Sequence, residues 1–578
     1  MLSDSDRPTK RKRFNVDHDD TTINIDSNAT LQLANSAAHQ HDTSDGSTSP
    51  TRRRNMTTHQ VETTRVPLPQ DYLTSTICQT PQFQQPLHLT SFSYSKTRQL
   101  LFESDIKDSS LNVLTKHRLR PDHVLNLNQG FEECVWRDST VDEGLDALLL
   151  TLDEWDKRDK TGFATDCLLR NKILTWRGMM TKLMLSSYQV TELNRDRRGQ
   201  QQDDKGWEMN AMMIDGTLYL EDSNSPTKLA AKATSEQSSQ RFAYHGIAFE
   251  SFLTRPISST LTTTDDEFEP PNTNIQWCSV VKTNLGGHRM ILGGEVDCIN
   301  NDKNKIETNN FIELKTNMII KNERDEINFE KNKLMKHFAQ SFLLGVPKVI
   351  VGFRDRQGLL QTVQDFNTLD LPRLVRGKPH AWDKRVLLSS ATDILTFLTN
   401  TLSHNPIVID KEKQLFQIIE SRTKSSDSND TNEIEQNKDE TLNKVFEDWP
   451  VFQIKFDPTG FVQNDSIMNS KARLNGGSIS IVQLSNQQIQ DQVLGAKRFP
   501  LLSRLDHVLK QELESQERVG FLLRLWVDGV VRRRMNLMIK ERAAPPVQDH
   551  TRGGTTNDLA QGHGYVQAPT RTASRLNR

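Results

Sequence analysis

Four charged side chains stand at alternating positions in two neighbouring apolar runs, Glu295 and Asp297 in the first and Glu313 and Lys315 in the second. Because alternate residues of a strand point to one face, each pair is predicted to share one side of its strand. The polar run 300–310 predicts a hairpin connection between the strands. Carboxylates in an apolar setting are costly to bury without compensation, and a divalent ion such as Mg²⁺ or Mn²⁺ is the usual compensation.

This pattern suits metal-dependent cleavage of a phosphoanhydride or phosphodiester bond. Such cleavage needs a hydroxide nucleophile and stabilisation of the charge that builds on the phosphoryl oxygens, and one or two metal ions supply both. In that scheme Glu295, Asp297 and Glu313 are metal ligands, the Leu314 carbonyl adds an oxygen, and Lys315 orients the attacking water. Each tripeptide alone is more typical of a salt-bridged exposed hairpin. The apolar flanks and the spacing favour the metal site.

Three polar residues elsewhere in apolar surroundings join this set. Glu250 follows Gly246 where the pattern predicts the opening of a helix, and Arg177 carries a planar guanidinium suited to phosphate. Gln340 is a neutral polar residue on the apolar side of a predicted helix. Each one alone also fits a structural role, as a helix-capping Glu, a surface Arg or a satisfied buried Gln.

The elements that must position these residues are predicted from the spacing of apolar residues. Predicted strands cover residues 87–94, 209–220 and 346–354, and predicted helices cover residues 142–155, 173–184, 328–344, 382–402 and 501–540. Polar insertions are predicted at 194–206 and 221–240. Strand, hairpin, helix and strand in succession predict an α/β (α+β) fold of mixed β-sheets flanked by helices, with a metal-dependent nuclease-like core and disordered tails.

Composition narrows the classes of protein that fit. Only 35% of the 578 residues are hydrophobic, so much of the chain is predicted to be solvated. Five scattered cysteines without a C-x-x-C pair favour a reducing compartment and argue against structural zinc. No apolar run reaches the ~18 residues of a membrane span, so no membrane partner is expected.

Low-complexity stretches predict where the chain divides. Residues 1–84 are predicted to be a disordered basic and polar tail, in which the cluster PTKRKR at 8–13 predicts nuclear import. The remaining predicted parts are a nuclease domain over 85–420, a linker over 421–442, a strand and helix extension without an assigned role over 443–542, and a disordered tail over 543–578. The basic run Arg532–Arg534 fits either a solvated helix face or a nucleic-acid contact.

With these motifs in order, the sequence resembles the DXO family of RNA 5′-end decapping nucleases, which includes the nuclear partner proteins of the 5′→3′ exoribonuclease in fungi. The resemblance covers residues 86 to about 410. Its motifs are PLHLTSFSYSKTR, LNQGFEECVWRDS, LTWRGMMTKL, G-x-x-x-E from Gly246 to Glu250, E-x-D from Glu295 to Asp297, E-x-K from Glu313 to Lys315, and QSFLLGVPKVIVGFRD.

The resemblance implies a function and a role for each candidate residue. It implies a metal-dependent hydrolase that removes NAD caps, unmethylated or incomplete caps and 5′ triphosphate from RNA, in some members with 5′→3′ exonuclease action. The implied metal ligands, for two Mg²⁺ or Mn²⁺ ions, are Glu250, Glu295, Asp297, Glu313 and the Leu314 carbonyl. The residues implied beside the attacking water and scissile phosphate are Glu250, Lys315 and Gln340, while Arg177 is implied to contact the 5′ phosphates.

The chain departs from the family pattern at Ala248, where relatives often carry lysine, and at His337 and Phe338, where they often carry an aromatic pair. These departures put substrate preference in doubt more than catalysis. His245 and His337 are not predicted to be ligands, because a histidine beside an oxygen-rich site more often packs or hydrogen bonds. Two alternatives stay open: a non-catalytic subunit that stabilises a nuclear 5′→3′ exoribonuclease, and a DNA nuclease of restriction-enzyme type.

Overall fold

The computed structural model describes residues 61–75, 79–102, 110–115, 119, 124–195, 206–257, 268–300, 306–425, 440–458, 476–498, 501–502 and 517–543. All of them fall within one compact unit, His59–Arg578. The basic cluster at 8–13 lies outside the described residues. Among the described helices, none is both long and apolar enough to cross a membrane.

Strands and helices of this unit alternate along much of the chain. The strands are β1 (Glu62–Val66), β2 (Leu87–Tyr94), β3 (Gln99–Phe102), β4 (Asn112–Leu114), β5 (Ile173–Trp176), β6 (Trp207–Ile214), β7 (Thr217–Asp222), β8 (Thr254–Pro256), β9 (Gln276–Leu285), β10 (His288–Glu295), β11 (Cys298–Ile299), β12 (Phe311–Met318), β13 (Lys348–Arg354), β14 (Leu360–Asn367), β15 (Phe452–Asp457), β16 (Gly477–Gln483), β17 (Leu501–Leu502), β18 (Arg518–Val519) and β19 (Leu522–Leu523). The helices are α1 (Pro69–Thr74), α2 (Asp146–Arg158), α3 (Phe163–Arg170), α4 (Arg177–Arg195), α5 (Pro226–Leu253), α6 (Glu323–Asn328), α7 (Met335–Leu344), α8 (Leu371–Leu374), α9 (Lys384–Ser403), α10 (Pro406–Ser425) and the C-terminal helix (Arg524–Ala543).

The strands form two large sheets and one small pair. The first sheet has 11 strands in the order β1-β16-β15-β6-β7-β5-β10-β9-β2-β3-β17, and the second has six in the order β14-β13-β12-β11-β4-β8. The small pair joins β18 and β19. Both large sheets mix parallel and antiparallel pairs: β10 is parallel to β5 and antiparallel to β9, while β12 is parallel to β13 and antiparallel to β11. This confirms the predicted mixed sheets flanked by helices.

Parallel neighbours require a long crossover, and a helical segment provides it between β12 and β13. The segment begins after Asn322, whose side chain accepts a hydrogen bond from the Asp325 backbone N–H, and ends at Gly345 in the left-handed conformation with φ 72°. It runs through α6, a π-helical segment over Phe329–Leu334 and α7. The helix predicted over 328–344 is therefore confirmed.

Central strands are apolar on both faces because helices cover them. Met290, Ile291 and Leu292 of β10 are fully buried, and so are Val349 and Ile350 of β13. Such near-continuous apolar runs are typical of strands buried between two layers. The large hydrophobic core therefore lies on both sides of the strands that carry the candidate residues.

Three predicted elements differ from the structure. Residues 173–176 form β5 instead of opening a helix, because they pair with β10 and β7 in the sheet interior. The polar stretch 221–240 is largely the first part of α5, which begins after the capping side chain of Ser225, an acceptor from the Lys228 backbone N–H. Residues 501–502 form β17 instead of helix, and 503–516 lie outside the described residues.

The boundaries of the ordered core also differ from the predicted ones. Residues 61–75, placed in the disordered tail from composition, form β1 and α1. Pairing with β16 stabilises β1, and the Tyr72 hydroxyl donates to Asp393 at 2.9 Å. The stretch 443–542, predicted as an extension, supplies β15 and β16, which continue the first sheet from β6. The predicted linker lies partly in α10, and 426–439 lie outside the described residues.

Candidate active site

The chain passes from the first sheet to the second within two residues. β10 ends at Glu295, Val296 and Asp297 span the gap, and β11 then pairs with β12 in the second sheet. The predicted hairpin therefore consists only of the pairs Cys298↔Ile312 and Ile299↔Phe311. Glu295 and Asp297 consequently do not share one face of a strand, because Asp297 lies outside β10. The turn of the chain still brings both acids to the boundary between the sheets.

Asp297 contacts the second sheet through the backbone. The Leu314 N–H donates to Asp297 Oδ2 at 2.6 Å, and the Lys315 ammonium lies 3.5 Å from the same oxygen. Burial raises the pKa of Asp297 to about 7, and the negative charges of Glu313 and Glu295 act in the same direction, against Lys315. Ionised Asp297 therefore needs more positive charge than the chain itself provides.

Glu313 is in the opposite electrostatic state. Only 1% of its side chain is exposed, yet Arg177 donates to Oε2 at 3.0 Å and the Lys315 ammonium lies 2.7 Å from Oε1. Burial alone would raise the pKa of Glu313, but Arg177 and Lys315 together lower it to about 2. Glu313 is therefore held as a carboxylate. Its alternation with Lys315 on β12 places both on one side of that strand, as predicted.

Lys315 is the cation at the centre of the group. Its Nζ also donates to the Leu314 carbonyl at 2.8 Å. Burial would lower the pKa of Lys315, but Asp297, Glu313 and Glu250 raise it above its usual value. Lys315 therefore stays protonated and acts as a hydrogen-bond donor and positive charge.

Arg177 reaches the site because β5 lies beside β10. The parallel register places Trp176 opposite Gly293, and α4 begins with Arg177. A Cβ atom built on Gly294 would lie 3.2 Å from Arg177 Cβ and 2.6 Å from Leu344 Cδ1. Glycine at 294 therefore allows α4 and α7 to pack closely against the end of β10, and Arg177 comes to lie within reach of Glu313.

Glu250 arrives from the opposite side, on the last turn of α5. The prediction that it opens a helix is wrong, because α5 begins at Pro226 and ends three residues after Glu250. Burial raises the pKa of Glu250 well above its ordinary range, and Asp297, Glu295 and Glu313 raise it further, against Lys315. Glu250 thus belongs to the same cluster of negative charge, although nothing in the local sequence showed which end of a helix it occupies.

Gln340 lies on α7, half-buried, and among the described residues it makes no hydrogen bond to the carboxylates. His337, one turn earlier, is buried, and neither ring nitrogen has a hydrogen-bond partner in the described part of the chain. Burial lowers the pKa of His337 to about 3, and the charge of Lys315 lowers it further. His337 is therefore a neutral imidazole near the cluster, which the sequence indicated only as a departure from the family pattern.

The donor set fits a hard divalent cation. Four carboxylates and the Leu314 carbonyl supply only oxygen atoms, the ligand type that Mg²⁺ and Mn²⁺ prefer. Among the described residues no three acids, histidines or cysteines converge closely enough to hold an ion as they stand. The Lys315 ammonium lies 3.5 Å from Asp297 Oδ2 and 2.7 Å from Glu313 Oε1, so the chain itself already supplies one positive charge to this set. The ammonium group supplies part of the positive charge that would compensate ionised Asp297 and Glu250.

One group that shapes the site, the Leu314 backbone N–H, was not predicted from the sequence. The Leu314 N–H fixes Asp297, whereas the sequence pointed only to the carbonyl of that residue. A backbone donor has no side-chain signature, and its role becomes visible only when the change of sheet brings β12 against Asp297.

Known proteins are similar to this chain in sequence and in fold. Residues 84–449 match the family described as RAI1 like PD-(D/E)XK nuclease. The decapping nuclease RAI1 of Mycosarcoma maydis is 34% identical over 393 residues, which cover 58% of this chain and 74% of the relative. The corresponding protein of Neurospora crassa is 36% identical over 333 residues, covering 55% and 74%. The decapping and exoribonuclease protein of Xenopus laevis is 31% identical over 235 residues, covering 40% and 54%.

Solved structures of similar fold agree with this assignment. Candida albicans Rai1 in complex with pU5-Mn²⁺ has a TM-score of 0.55 at 19% identity, covering 82% of this chain and 100% of that one. Scheffersomyces stipitis Rai1 in complex with (3′-NADP)⁺ and calcium ion has a TM-score of 0.53 at 20% identity, covering 79% and 98%. The resemblance to the DXO family is confirmed, and the chain belongs to the RAI1-like family of PD-(D/E)XK nucleases.

Proposed function

We infer that this protein is a metal-dependent hydrolase that acts on RNA 5′ ends and removes incomplete caps or pyrophosphate in 5′-end quality control. The observation that carries this function is the cluster at the sheet boundary, where Glu313 and Lys315 supply the carboxylate and lysine of a PD-(D/E)XK site beside Asp297. Relatives named decapping nucleases, matched over about three quarters of their length, indicate the substrate class.

We propose that two Mg²⁺ or Mn²⁺ ions bind at this cluster. Their ligands would be Glu250, Glu295, Asp297, Glu313 and the Leu314 carbonyl. Such ions lower the pKa of a bound water and neutralise charge that develops on the phosphoryl group.

The residues of the chain itself supply position and charge. Protonated Lys315 donates hydrogen bonds, so its role is to orient water or a phosphate oxygen and not to remove a proton. Arg177 is held by Glu313 at 3.0 Å, and we propose that its guanidinium contacts the 5′ phosphates of the substrate. Gln340 has no partner among the described carboxylates, and we propose that it contacts the scissile phosphate.

One site can act on several 5′ ends, because each is cleaved at a phosphorus near the end and only the leaving group differs. We therefore propose NAD caps, unmethylated caps and triphosphate as substrates. The (3′-NADP)⁺ ligand of the Scheffersomyces stipitis protein, which shares this fold, is in keeping with the first of these.

The test is a panel of RNAs of one sequence that carry a 5′ triphosphate, an unmethylated cap, an NAD cap, a monophosphate or a hydroxyl. Each is incubated with the wild-type protein or with Asp297→Asn, with Mg²⁺, Mn²⁺ or chelator. We expect cleavage of the first three substrates by the wild-type protein with metal only. Chelator-resistant cleavage, or equal cleavage by Asp297→Asn, would contradict the assignment. Preference for duplex DNA would favour the restriction-type alternative.

A nuclear location and a 5′→3′ exoribonuclease partner are also proposals, supported by the family resemblance and the basic cluster at 8–13. Co-elution of the full chain with that exoribonuclease in gel filtration would support the partner. Separate elution of the two proteins at micromolar concentration would count against it.

A further inference from the structure

One face of α5 leads away from the candidate site. Phe242, Gly246 and Glu250 follow one another at four-residue spacing, which places them in a row along the helix. Glu250 belongs to the carboxylate cluster, the nearest atom to a Cβ built on Gly246 is Thr316 Oγ1, and the Phe242 ring faces Arg354 at the end of β13. The row spans about 12 Å, at the helical rise of each residue.

Gly246 leaves an open strip in the middle of this row. Glycine inside a helix lowers its stability relative to alanine. Among the described residues, the one atom within 4 Å of a Cβ at this position is Thr316 Oγ1, at 3.8 Å, which is an ordinary van der Waals distance. Packing among the described residues therefore does not require glycine here, and no side chain at position 246 stands between Glu250 and Phe242 along the helix.

Phe242 ends the row as an exposed aromatic platform. Its side chain is 58% exposed, the Arg354 guanidinium carbon lies 5.5 Å from the ring centroid, and the His245 ring meets it edge-on at 6.1 Å. In the described part of the chain, Arg354 Nε and His245 Nδ1 are buried without hydrogen-bond partners. An exposed ring above a largely buried cation suits a ligand that is both planar and negatively charged.

Arg241 extends the positive charge next to Phe242. It is exposed, its guanidinium carbon lies 4.4 Å from the Phe131 centroid, and its nearest acid is Glu132 at 3.7 Å. Because that pair is exposed to solvent, it is weak, and a phosphate group can replace Glu132 at little cost. Asp355 is the other acid near this surface, and its carboxylate accepts from the Leu359 N–H and the Gln361 side chain.

We propose that the body of a single-stranded RNA runs along α5 from the cluster, passes over Gly246 and stacks a base on Phe242, while Arg241 and Arg354 attract its phosphates. This track rests on the proposed function, since the scissile end must lie among the carboxylates. The body of the RNA would then lie on the side of the cluster opposite Arg177 and α7. The leaving group would lie on the same side as Arg177 and α7. Aromatic stacking combined with positive charge is how proteins bind single strands without sequence preference.

Binding of RNA in chelator, where no cleavage occurs, tests the track directly. A labelled 5′-monophosphate RNA of about ten nucleotides reports affinity by fluorescence anisotropy, and an unlabelled dinucleotide is measured as its competitor. Phe242→Ala should weaken binding of the long RNA by about tenfold and leave the affinity for the dinucleotide unchanged. Phe163→Ala is the matched control, because Phe163 is 48% exposed and has Lys282 Nζ 4.6 Å from its ring centroid. It should change neither affinity.

Two substitutions, Gly246→Ala and Gly246→Leu, provide a second test. In the alanine variant, thermal stability and RNA affinity should change in opposite directions. The alanine variant should melt at the same or a higher temperature than the wild-type protein, and both variants should bind the long RNA less tightly, leucine more so. Equal affinities of Phe242→Ala and Phe163→Ala for the long RNA would overturn the track, as would a wild-type protein that prefers the dinucleotide. Metal-dependent cleavage of a triphosphorylated dinucleotide is scored separately, so a failure of the proposed function is distinguishable from a failure of the track.

Discussion

Neighbouring carboxylates in this site differ in charge because their partners differ. Glu313 has two cations within 3.0 Å, and its pKa falls to about 2 despite burial. Asp297 has only the 3.5 Å contact to Lys315, and burial raises its pKa to about 7. The folded structure therefore stabilises the charged form of Glu313 and destabilises the charged form of Asp297.

This difference predicts opposite effects of two isosteric substitutions on the stability of the metal-free protein. Asp297→Asn removes an unfavourable charge and retains an acceptor for the Leu314 N–H, so its melting temperature should equal or exceed that of the wild-type protein. Glu313→Gln leaves Arg177 and Lys315 buried without their carboxylate and should destabilise the fold by about 3 kcal/mol. Both variants should lose RNA cleavage. Calorimetry in chelator measures the first effect, and a stabilised Glu313→Gln would contradict the charge assignment.

The raised pKa values of Asp297 and Glu250 also predict how pH acts. In the folded chain these groups keep protons that the unfolded chain has lost, so stability of the metal-free protein should fall as pH rises from about 4 to about 7. A divalent ion binds the ionised form, so the rise in melting temperature on adding Mn²⁺ should grow over the same window. Melting curves with Mn²⁺ or chelator at about pH 5 and about pH 8 measure this. Asp297→Asn should reduce the pH dependence, and an equal Mn²⁺ effect at both pH values would refute the explanation.

At the residue scale the sequence identified the acids, Lys315 and Arg177 correctly as neighbours. Alternation along β12 was enough to place Glu313 beside Lys315, because a strand keeps that spacing whatever surrounds it. The position of Gln340 relative to the acids was not predictable in the same way. It depends on how α7 packs against α4 and β10, which no local pattern encodes.

At the scale of elements, the C-terminal helix shows how a basic run can be structural. Arg533 is 4% exposed, lies 3.4 Å from Asp153 and 3.3 Å from Asp156, and its guanidinium carbon is 4.5 Å from the Trp526 centroid. Arg534 binds both carboxylate oxygens of Asp215 at 2.8 and 2.7 Å. Neither a solvated face nor a nucleic-acid contact describes these residues, because they join the helix to α2 and to the β6–β7 turn.

Arg533→Met should therefore destabilise the protein without weakening its binding to RNA. Loss of the buried cation leaves Asp153 and Asp156 less compensated, which costs about 3 kcal/mol. Arg532→Met is the control: the side chain of Arg532 is half-exposed and, among the described acids, pairs with Asp153 at 3.2 Å, so the change should be below about 1 kcal/mol. Urea unfolding measures both, and anisotropy over a salt series measures RNA affinity. A lower salt dependence in Arg533→Met would instead place this run on an RNA surface.

The elements that the sequence predicted correctly are those with a long regular pattern. The crossover helix, β13 and α9 fall within a few residues of their predicted ranges. β5 was missed because a four-residue strand followed directly by a helix is too short to show a period of its own, and the polar half of α5 lacks an apolar stripe. The predicted hairpin was longer than the observed one. The residue pattern of β10 does not show that the chain changes its hydrogen-bonding partners after Glu295.

At the scale of the whole molecule, the C-terminal third completes the core instead of extending it. β15 pairs with β6, and the Trp449 indole, 1% exposed, donates to the Met213 carbonyl at 2.9 Å. Lys497 lies buried between Asp142 and Glu221, at 3.1 and 2.9 Å. Such contacts join segments several hundred residues apart. Composition alone could not predict them, because β15 and β16 acquire their stability from partners distant in sequence.

Truncation should reveal this dependence. A chain that ends after residue 543 keeps every described element and should melt within a few degrees of the full chain. A chain that ends after residue 442 exposes the edge of β6 and the apolar surface that covers Trp449, and it should aggregate instead of folding. Soluble yield, circular dichroism and RNA cleavage of the two chains test the expectation. A folded, active chain ending at residue 442 would show that the nuclease core is independent.

The passage of the chain at Val296 and Asp297 has a mechanical consequence. Glu295 terminates one sheet and Glu313 belongs to the other, so an ion held by both would add a link between two sheets that the Arg177–Glu313 ion pair and the Leu314–Asp297 hydrogen bond already connect. In the metal-free chain the raised pKa values of Asp297 and Glu250 favour their protonated forms, which lowers the repulsion among the acids, and a bound ion would replace those protons. Loading of metal would then set not only the chemistry of the site but also how firmly the two sheets are held together at this boundary.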